Sequence, residues 1–286
     1  MLTHKNPVLE GADPFAILHE GKYYLYSTNS DDGYKCFVSE DLAEWKFNGM
    51  GMLKDDVKGN FWFWAPEIIE KDGKFYMVYS SEEHIGIAVA DHPAGPFRQT
   101  EKRWLSERNA IDGHFFRDDD GQVYLYYVRF DGGNVIYCTK MSEDLLSMDE
   151  ENEVRLIAAE EEWETRQALV AEGPFVLKHN GKYYLTYSAN DYQSPDYAVG
   201  YAVSDHPMGP FVKYAGNPIL KKDERVQGTG HHSFTTSKDG STLLCVYHIH
   251  NSLTKVHPRL TCIDPAKFVP APDGGDDVLV IEKTCW

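Results

Sequence analysis

Four acids and a histidine stand at matching places along this chain. Asp13, Glu67, Asp112, Glu172 and His231 each lie six to nine residues ahead of a turn glycine, namely Gly21, Gly73, Gly121, Gly181 and Gly240. Taken singly, each has a plain turn reading: Asp13-Pro14, Ala65-Pro66-Glu67, Asp112-Gly113 and Glu172-Gly173-Pro174 are ordinary punctuation. Their recurrence at one place in a repeat gives them weight. If folding gathers these carboxyls, their mutual repulsion raises at least one pKa and leaves a neutral acid beside an ionised base. Splitting a glycosidic bond uses that pair: the acid protonates the leaving oxygen, and the carboxylate activates water or attacks the sugar carbon.

The elements that would position them repeat as well. Each turn glycine opens a tyrosine-rich alternating strand, as in Gly21-Lys22-Tyr23-Tyr24-Leu25-Tyr26 and Gly181-Lys182-Tyr183-Tyr184-Leu185-Thr186-Tyr187, and the glycines are 52, 48, 60 and 59 residues apart. An apolar strand precedes each turn, a third strand follows, and two of the third strands end in near-identical punctuation, Asp91-His92-Pro93-Ala94-Gly95-Pro96-Phe97 and Asp205-His206-Pro207-Met208-Gly209-Pro210-Phe211. Four short strands per repeat at this period predict an all-β, five-bladed β-propeller of four-stranded antiparallel blades, filling residues 1–286 as one domain. The acid-rich stretch 150–164 breaks the pattern and is expected to be an exposed connection between blades. The tail Val278–Ile281 is expected to form a last strand near the amino terminus that helps to close the ring.

In a propeller the first strand of each blade lines the central channel, so all five polar residues are expected at one channel mouth. His231, in Gly228-Thr229-Gly230-His231-His232, would face that negative mouth. A cation there would relieve the repulsion. Ca2+ at the axis is the expected candidate, although calcium takes oxygen ligands and its protein shell would be incomplete; zinc is disfavoured because no second histidine or cysteine stands at ligand spacing. The run Phe61-Trp62-Phe63-Trp64 offers rings that could stack on the apolar face of a sugar, with Trp62 or Trp64 at the site and the remaining rings packed between blades.

A formal net charge of -17 disfavours nucleic acid and anionic membranes and leaves cations and neutral ligands, small neutral oligosaccharides among them, as possible partners. No organic cofactor motif and no apolar run of membrane-spanning length occurs. Five cysteines (Cys36, Cys138, Cys245, Cys262, Cys285) without metal-finger spacing suggest buried thiols in a reducing compartment. With no apolar secretory segment visible at the start, a cytoplasmic location is the expectation.

These motifs together resemble glycoside hydrolase family 43. The resemblance is carried by Ala12-Asp13-Pro14, Trp64-Ala65-Pro66-Glu67, Ile111-Asp112-Gly113-His114-Phe115-Phe116, Glu172-Gly173-Pro174-Phe175 and Gly228-Thr229-Gly230-His231, in the family's order over nearly the whole chain. It implies a five-bladed propeller acting with inversion on arabinose- and xylose-containing saccharides. It also implies Asp13 as general base, Glu172 as general acid and Asp112 as the carboxylate that raises and orients the acid. His231 is similar to the histidine near an axial metal, usually calcium. Arg259, in Pro258-Arg259-Leu260-Thr261, resembles a late-blade arginine that reaches a substrate hydroxyl or the acid, and Trp62, Trp64 and Glu67 complete the expected substrate contacts. The activity expected on these grounds is an α-L-arabinofuranosidase or β-xylosidase releasing terminal pentose. An endo-1,5-α-L-arabinanase and a non-catalytic sugar- or protein-binding propeller are the alternatives.

Overall fold

In the computed structural model, which describes every residue except 1–3, 29, 30, 273 and 285, each repeat folds into an antiparallel sheet and the five sheets form a ring. Blade 1 comprises Ala12–His19, Lys22–Thr28, Gly33–Ser39 and Lys46–Leu53; blade 3 comprises Ile111–Arg117, Val123–Phe130, Asn134–Lys140 and Val154–Ala158; blade 4 comprises Ala171–His179, Lys182–Ala189, Ala198–Ser204 and Val212–Lys213. Blade 2 has three strands, Trp64–Lys71, Lys74–Ser81 and His84–Ala90, and its fourth is reduced to a bridge between Val89 and Arg98. Blade 5 has Gly230–Thr236, Leu243–Ile249 and Leu260–Val269.

Both ends of the chain close blade 5. Leu9–Glu10 pairs with one half of Leu260–Val269 and the tail strand Val278–Ile281 pairs with the other half. The tail therefore joins the last blade, beside rather than onto the amino-terminal segment. Two chain termini then share one edge, which leaves a single strand no long open edge to expose.

Five apolar clusters fill the five gaps between neighbouring blades. The tyrosine strands supply much of this packing, because a tyrosine buries a large ring yet needs a partner for its hydroxyl. The repeated Asp-His-Pro punctuation provides that partner: Tyr26 donates to the Pro93 carbonyl (2.7 Å), and Tyr126 to the Pro207 carbonyl, each in the next blade. Tyr187 donates to Glu164 at 2.5 Å.

That last contact corrects the reading of 150–164 as an exposed connection. The stretch holds the outer strand of blade 3, and Glu164 is fully buried, where it also meets Lys213 Nζ (2.6 Å) and the backbone N–H groups of Glu160 and Glu161. Glu150 and Glu153 are engaged too, by the buried Arg129. Cys36, Cys138, Cys245 and Cys262 are buried free thiols, and Cys285 lies outside the described residues. Among the described residues no helix is long and apolar enough to cross a membrane.

Candidate active site

The innermost strand of every blade carries the same irregularity. Its register slips by a bulge against the second strand, and one residue there adopts a positive φ: Asp13 (50°), Ala65 (42°), Asp112 (56°), Gly173 (55°) and His231 (27°). Left-handed backbone is costly for any residue with a Cβ, so its recurrence needs compensation. The neighbouring blade supplies it. The bulge N–H groups of Ala65, Asp112 and His231 donate to Thr28 Oγ1 (2.9 Å), Ser80 Oγ (3.0 Å) and Ser188 Oγ (2.9 Å), and that of Asp13 donates to His248 Nδ1 (3.2 Å). In blade 4 the Gly173 N–H donates to the Asp112 carboxylate instead (3.3 Å). Gly173 is required there: a Cβ would stand about 3.1 Å from the His231 ring, in addition to the positive φ.

Asp13 and Asp112 are thus equivalent, whereas Glu172 sits one residue before its bulge and Glu67 two residues after. The bulges aim Asp13, Asp112 and His231, with Glu172, into one cavity of roughly 330 Å3. Trp64, Asn134, Asp191, Tyr192 and Arg259 also line it. Its size is at the small end of ligand pockets.

Glu67, expected among the sugar contacts, lies off this pocket in the narrower axial cavity beneath it. Its carboxylate is occupied by His114 Nδ1–H (2.6 Å) and the Phe115 N–H (3.2 Å). Because His114 Nε2 accepts from the Val176 N–H (2.9 Å), the proton must sit on Nδ1. Glu67 and His114 therefore stitch blades 2, 3 and 4 together. Trp62 does not line the pocket either; it is half-exposed and stacks on Trp64, with ring centroids 5.4 Å apart at 14°.

Charge is distributed unevenly among the pocket carboxyls of Asp13, Asp112 and Glu172. Burial alone would raise Asp13, but the Arg259 guanidinium, then His231 and His248, outweigh it and hold Asp13 well below the usual carboxylate range. Arg259 is bidentate, with Nη1 2.8 Å from Oδ1 and Nη2 3.4 Å from Oδ2, and Tyr192 covers its other face at 4.4 Å. The arginine thus reaches Asp13 rather than Glu172. Burial pushes Glu172 up; the Tyr197 hydroxyl opposes this, the Asp13 charge adds to it, and Asn134 and Arg259 also oppose, leaving it at about 7. Asp112 is raised by burial and by the charges of Glu172 and Asp13. Burial lowers His231 and holds His248 down at about 3. The Arg259 guanidinium faces the Asp13, Asp112 and Glu172 carboxyls; Asp13 is held low, whereas Asp112 and Glu172 are both raised.

The donor set around His231 does not suit Ca2+. Its Nδ1 is 3.6 Å from Asp13 and 3.8 Å from Asp112, but Asp13 is engaged by Arg259 and Asp112 by Gly173. Among the described residues no three His, Cys, Asp or Glu side chains converge as metal ligands. The chemistry below takes no step through a metal.

Asn134, Tyr197, His248, Asp191 and Tyr192 escaped the sequence reading. Asn134 opens a third strand, Asp191, Tyr192 and Tyr197 lie on the second-to-third strand connection of blade 4, and His248 lies near the end of the second strand of blade 5.

Comparison with known proteins agrees with this geometry. The profile of glycosyl hydrolases family 43 matches residues 4–274. A β-xylosidase from Xylanibacter ruminicola is 31% identical, over 79% of this chain and 84% of its own length. A β-D-galactofuranosidase from Aspergillus niger is 30% identical, over 92% of this chain and 82% of its own. The crystal structure of an endo-1,4-β-xylanase from Bacteroides thetaiotaomicron superposes with a TM-score of 0.91 at 43% identity, covering 97% of this chain and 96% of that one. With its profile matched almost end to end, the chain belongs to glycoside hydrolase family 43.

Proposed function

We propose that this glycosidase releases terminal pentose, xylose or arabinofuranose, from neutral oligosaccharides with inversion at the anomeric carbon. One observation carries the reading: a single small pocket holds Asp13 ionised by Arg259 and Glu172 protonated to about pH 7. In this scheme Glu172 gives its proton to the glycosidic oxygen as the C–O bond breaks. A water on the opposite face attacks C1, and Asp13 takes the water's proton. Asp13 then releases its proton to solvent and Glu172 takes one up from solvent, so acid and base return to their starting states. The relatives named β-xylosidase and endo-1,4-β-xylanase support xylosides as the first substrates to test.

The test is turnover of nitrophenyl β-D-xyloside and α-L-arabinofuranoside together with xylo- and arabino-oligosaccharides, with the first-formed anomer read by proton NMR. Release of single pentose units with inverted configuration is expected. Retention of configuration would refute the assignment of Asp13 as a base. Oligosaccharide products alone would favour an endo-acting enzyme, a reading that the xylanase likeness also favours. Silence on every glycoside would leave a sugar-binding propeller.

Trp64 is the pocket aromatic on which a sugar ring can stack. Trp64→Ala is expected to lower kcat/KM on xylobiose by about tenfold, the scale of one lost stacking and burial contact. Trp62→Ala should matter little for xylobiose and more for longer chains, because Trp62 extends the same stack outward to solvent. Equal losses for both variants at every chain length would refute this order.

A further inference from the structure

Each carboxyl oxygen of Glu172 has its own fixed donor. The Tyr197 hydroxyl donates to Oε1 at 2.8 Å, and the Asn134 side-chain amide donates to Oε2 at 2.9 Å. The two come from different blades and both are held firmly. Asn134 opens the third strand of blade 3, and its backbone N–H bonds the Leu169 carbonyl (2.9 Å). Tyr197 is fully buried and its ring lies flat on His248 (5.6 Å, 12°). Gly230 leaves room for that ring, since a Cβ there would come within 2.3 Å of it. Asn134 lines the pocket and Tyr197 does not, which sets Oε2 on the substrate side.

We propose that Asn134 and Tyr197 are positioning residues that strengthen Glu172 as an acid, by binding its carboxylate more tightly as the proton leaves. This rests on the assignment of Glu172 as the proton donor in glycoside hydrolysis. While Glu172 is protonated, Oε2–H is a poor acceptor and the Asn134 contact is weak; the Tyr197 hydroxyl meets a neutral carbonyl oxygen. As the proton passes to the glycosidic oxygen, both oxygens become carboxylate oxygens, and both hydrogen bonds become charge-assisted. An interaction that tightens along the reaction lowers the barrier, where an unchanging one would only aid binding. Nothing else in the pocket is consumed: the O–H bond of Glu172 breaks, the O–H bond of the leaving alcohol forms, and the two donors keep their protons. The other groups facing Glu172 are the Asp13 and Asp112 carboxyls, the Arg259 guanidinium and the His231 ring beside Gly173. None of these donates a hydrogen bond to it among the described residues.

The experiment uses Tyr197→Phe, which keeps the ring on His248, and Asn134→Ala, each assayed on aryl and alkyl pentosides spanning a wide range of leaving-group pKa. A good leaving group needs little protonation, so the loss in kcat/KM should be smallest for dinitrophenyl pentosides. It should grow to about 10- to 100-fold for alkyl pentosides and xylobiose, the range one hydrogen bond to a charged group spans. In parallel, the alkaline limb of the pH profile and the 13C-detected titration of the Glu172 carboxyl should both move upward, because the missing donor favoured the ionised form. A loss equal for all leaving groups, with an unmoved Glu172 titration, would overturn the proposal and reduce both residues to packing. Wild-type protein inactive on every glycoside would instead overturn the acid assignment beneath it. The melting temperature of each variant and the 13C titration, which needs no turnover, separate either result from misfolding.

Discussion

Glu172→Gln should slow hydrolysis of natural glycosides by about 10^2- to 10^4-fold, the usual contribution of a general acid. Glutamine keeps the side chain's shape and can still accept from one of Asn134 and Tyr197, so the change tests the proton more than the packing. The sign of the pH dependence follows from the same site. Glu172 is raised to about 7, and the proposed mechanism uses its protonated form, so wild-type kcat/KM should be flat below that value and fall above it. Asp112 is raised as well, in part by the charge of Glu172, so the observed limb belongs to the pair of carboxyls rather than to either alone. Asp13, held well below the ordinary carboxylate range, sets an acidic limb far lower, which gives a broad plateau. In the Gln variant the alkaline limb should vanish for dinitrophenyl pentosides, which leave without a proton, and those substrates should lose least. Near-full activity on xylobiose, or an unchanged alkaline limb, would remove Glu172 from the acid role.

How much of this site could be read from the sequence depends on the distance between a residue and the repeating motif. The turn glycines marked five hairpins, and the acids ahead of them did reach one pocket, apart from Glu67. Counting back from those glycines blurred the alignment, however. The bulge lies eight residues before Gly21, Gly73 and Gly181 but nine before Gly121 and Gly240, because the hairpins at Asp118–Gly121 and Ser237–Gly240 carry one residue more. That single residue made Glu172 and Asp112 look equivalent when only Asp13 and Asp112 are. It also hid Glu67 as a partner of His114, both two residues past a bulge. A second signal was present: Thr28, Ser80 and Ser188 each stand seven residues after a turn glycine, hydroxyl residues near the ends of tyrosine-rich strands. They hold the bulge N–H of the next blade, and His248 takes that place in blade 5. Asn134 and Tyr197 had no such trace, since each occurs once, on or beside a connection whose length differs from blade to blade. Repetition reveals what the fold needs five times; a donor that one carboxyl needs once leaves no period to detect.

Asp13→Asn should be the second severe variant, and its failure should look different. The loss of the base alone is worth about 10^2- to 10^4-fold in kcat/KM. The substitution also strips Arg259 of its buried counter-ion, since both contacts that Asp13 makes with the guanidinium depend on the carboxylate charge. Breaking one side of a buried ion pair typically costs about 3–5 kcal/mol, so a clear drop in melting temperature is expected, one that Glu172→Gln should not share. The electrostatics give a sharper criterion. Asp13 raises Glu172 and Arg259 lowers it; with the carboxylate gone the guanidinium acts unopposed, and the alkaline limb of the residual activity should move downward. This is opposite to the shift expected when Asn134 or Tyr197 loses its donor, so the two directions separate the charge that sustains the acid's proton from the hydrogen bonds that help release it. An Asp13→Asn enzyme whose limb stays in place would mean that the acid and the base titrate independently. The Arg259–Asp13 pair would then be a structural clasp, and the proton kept on Glu172 would be owed to burial alone.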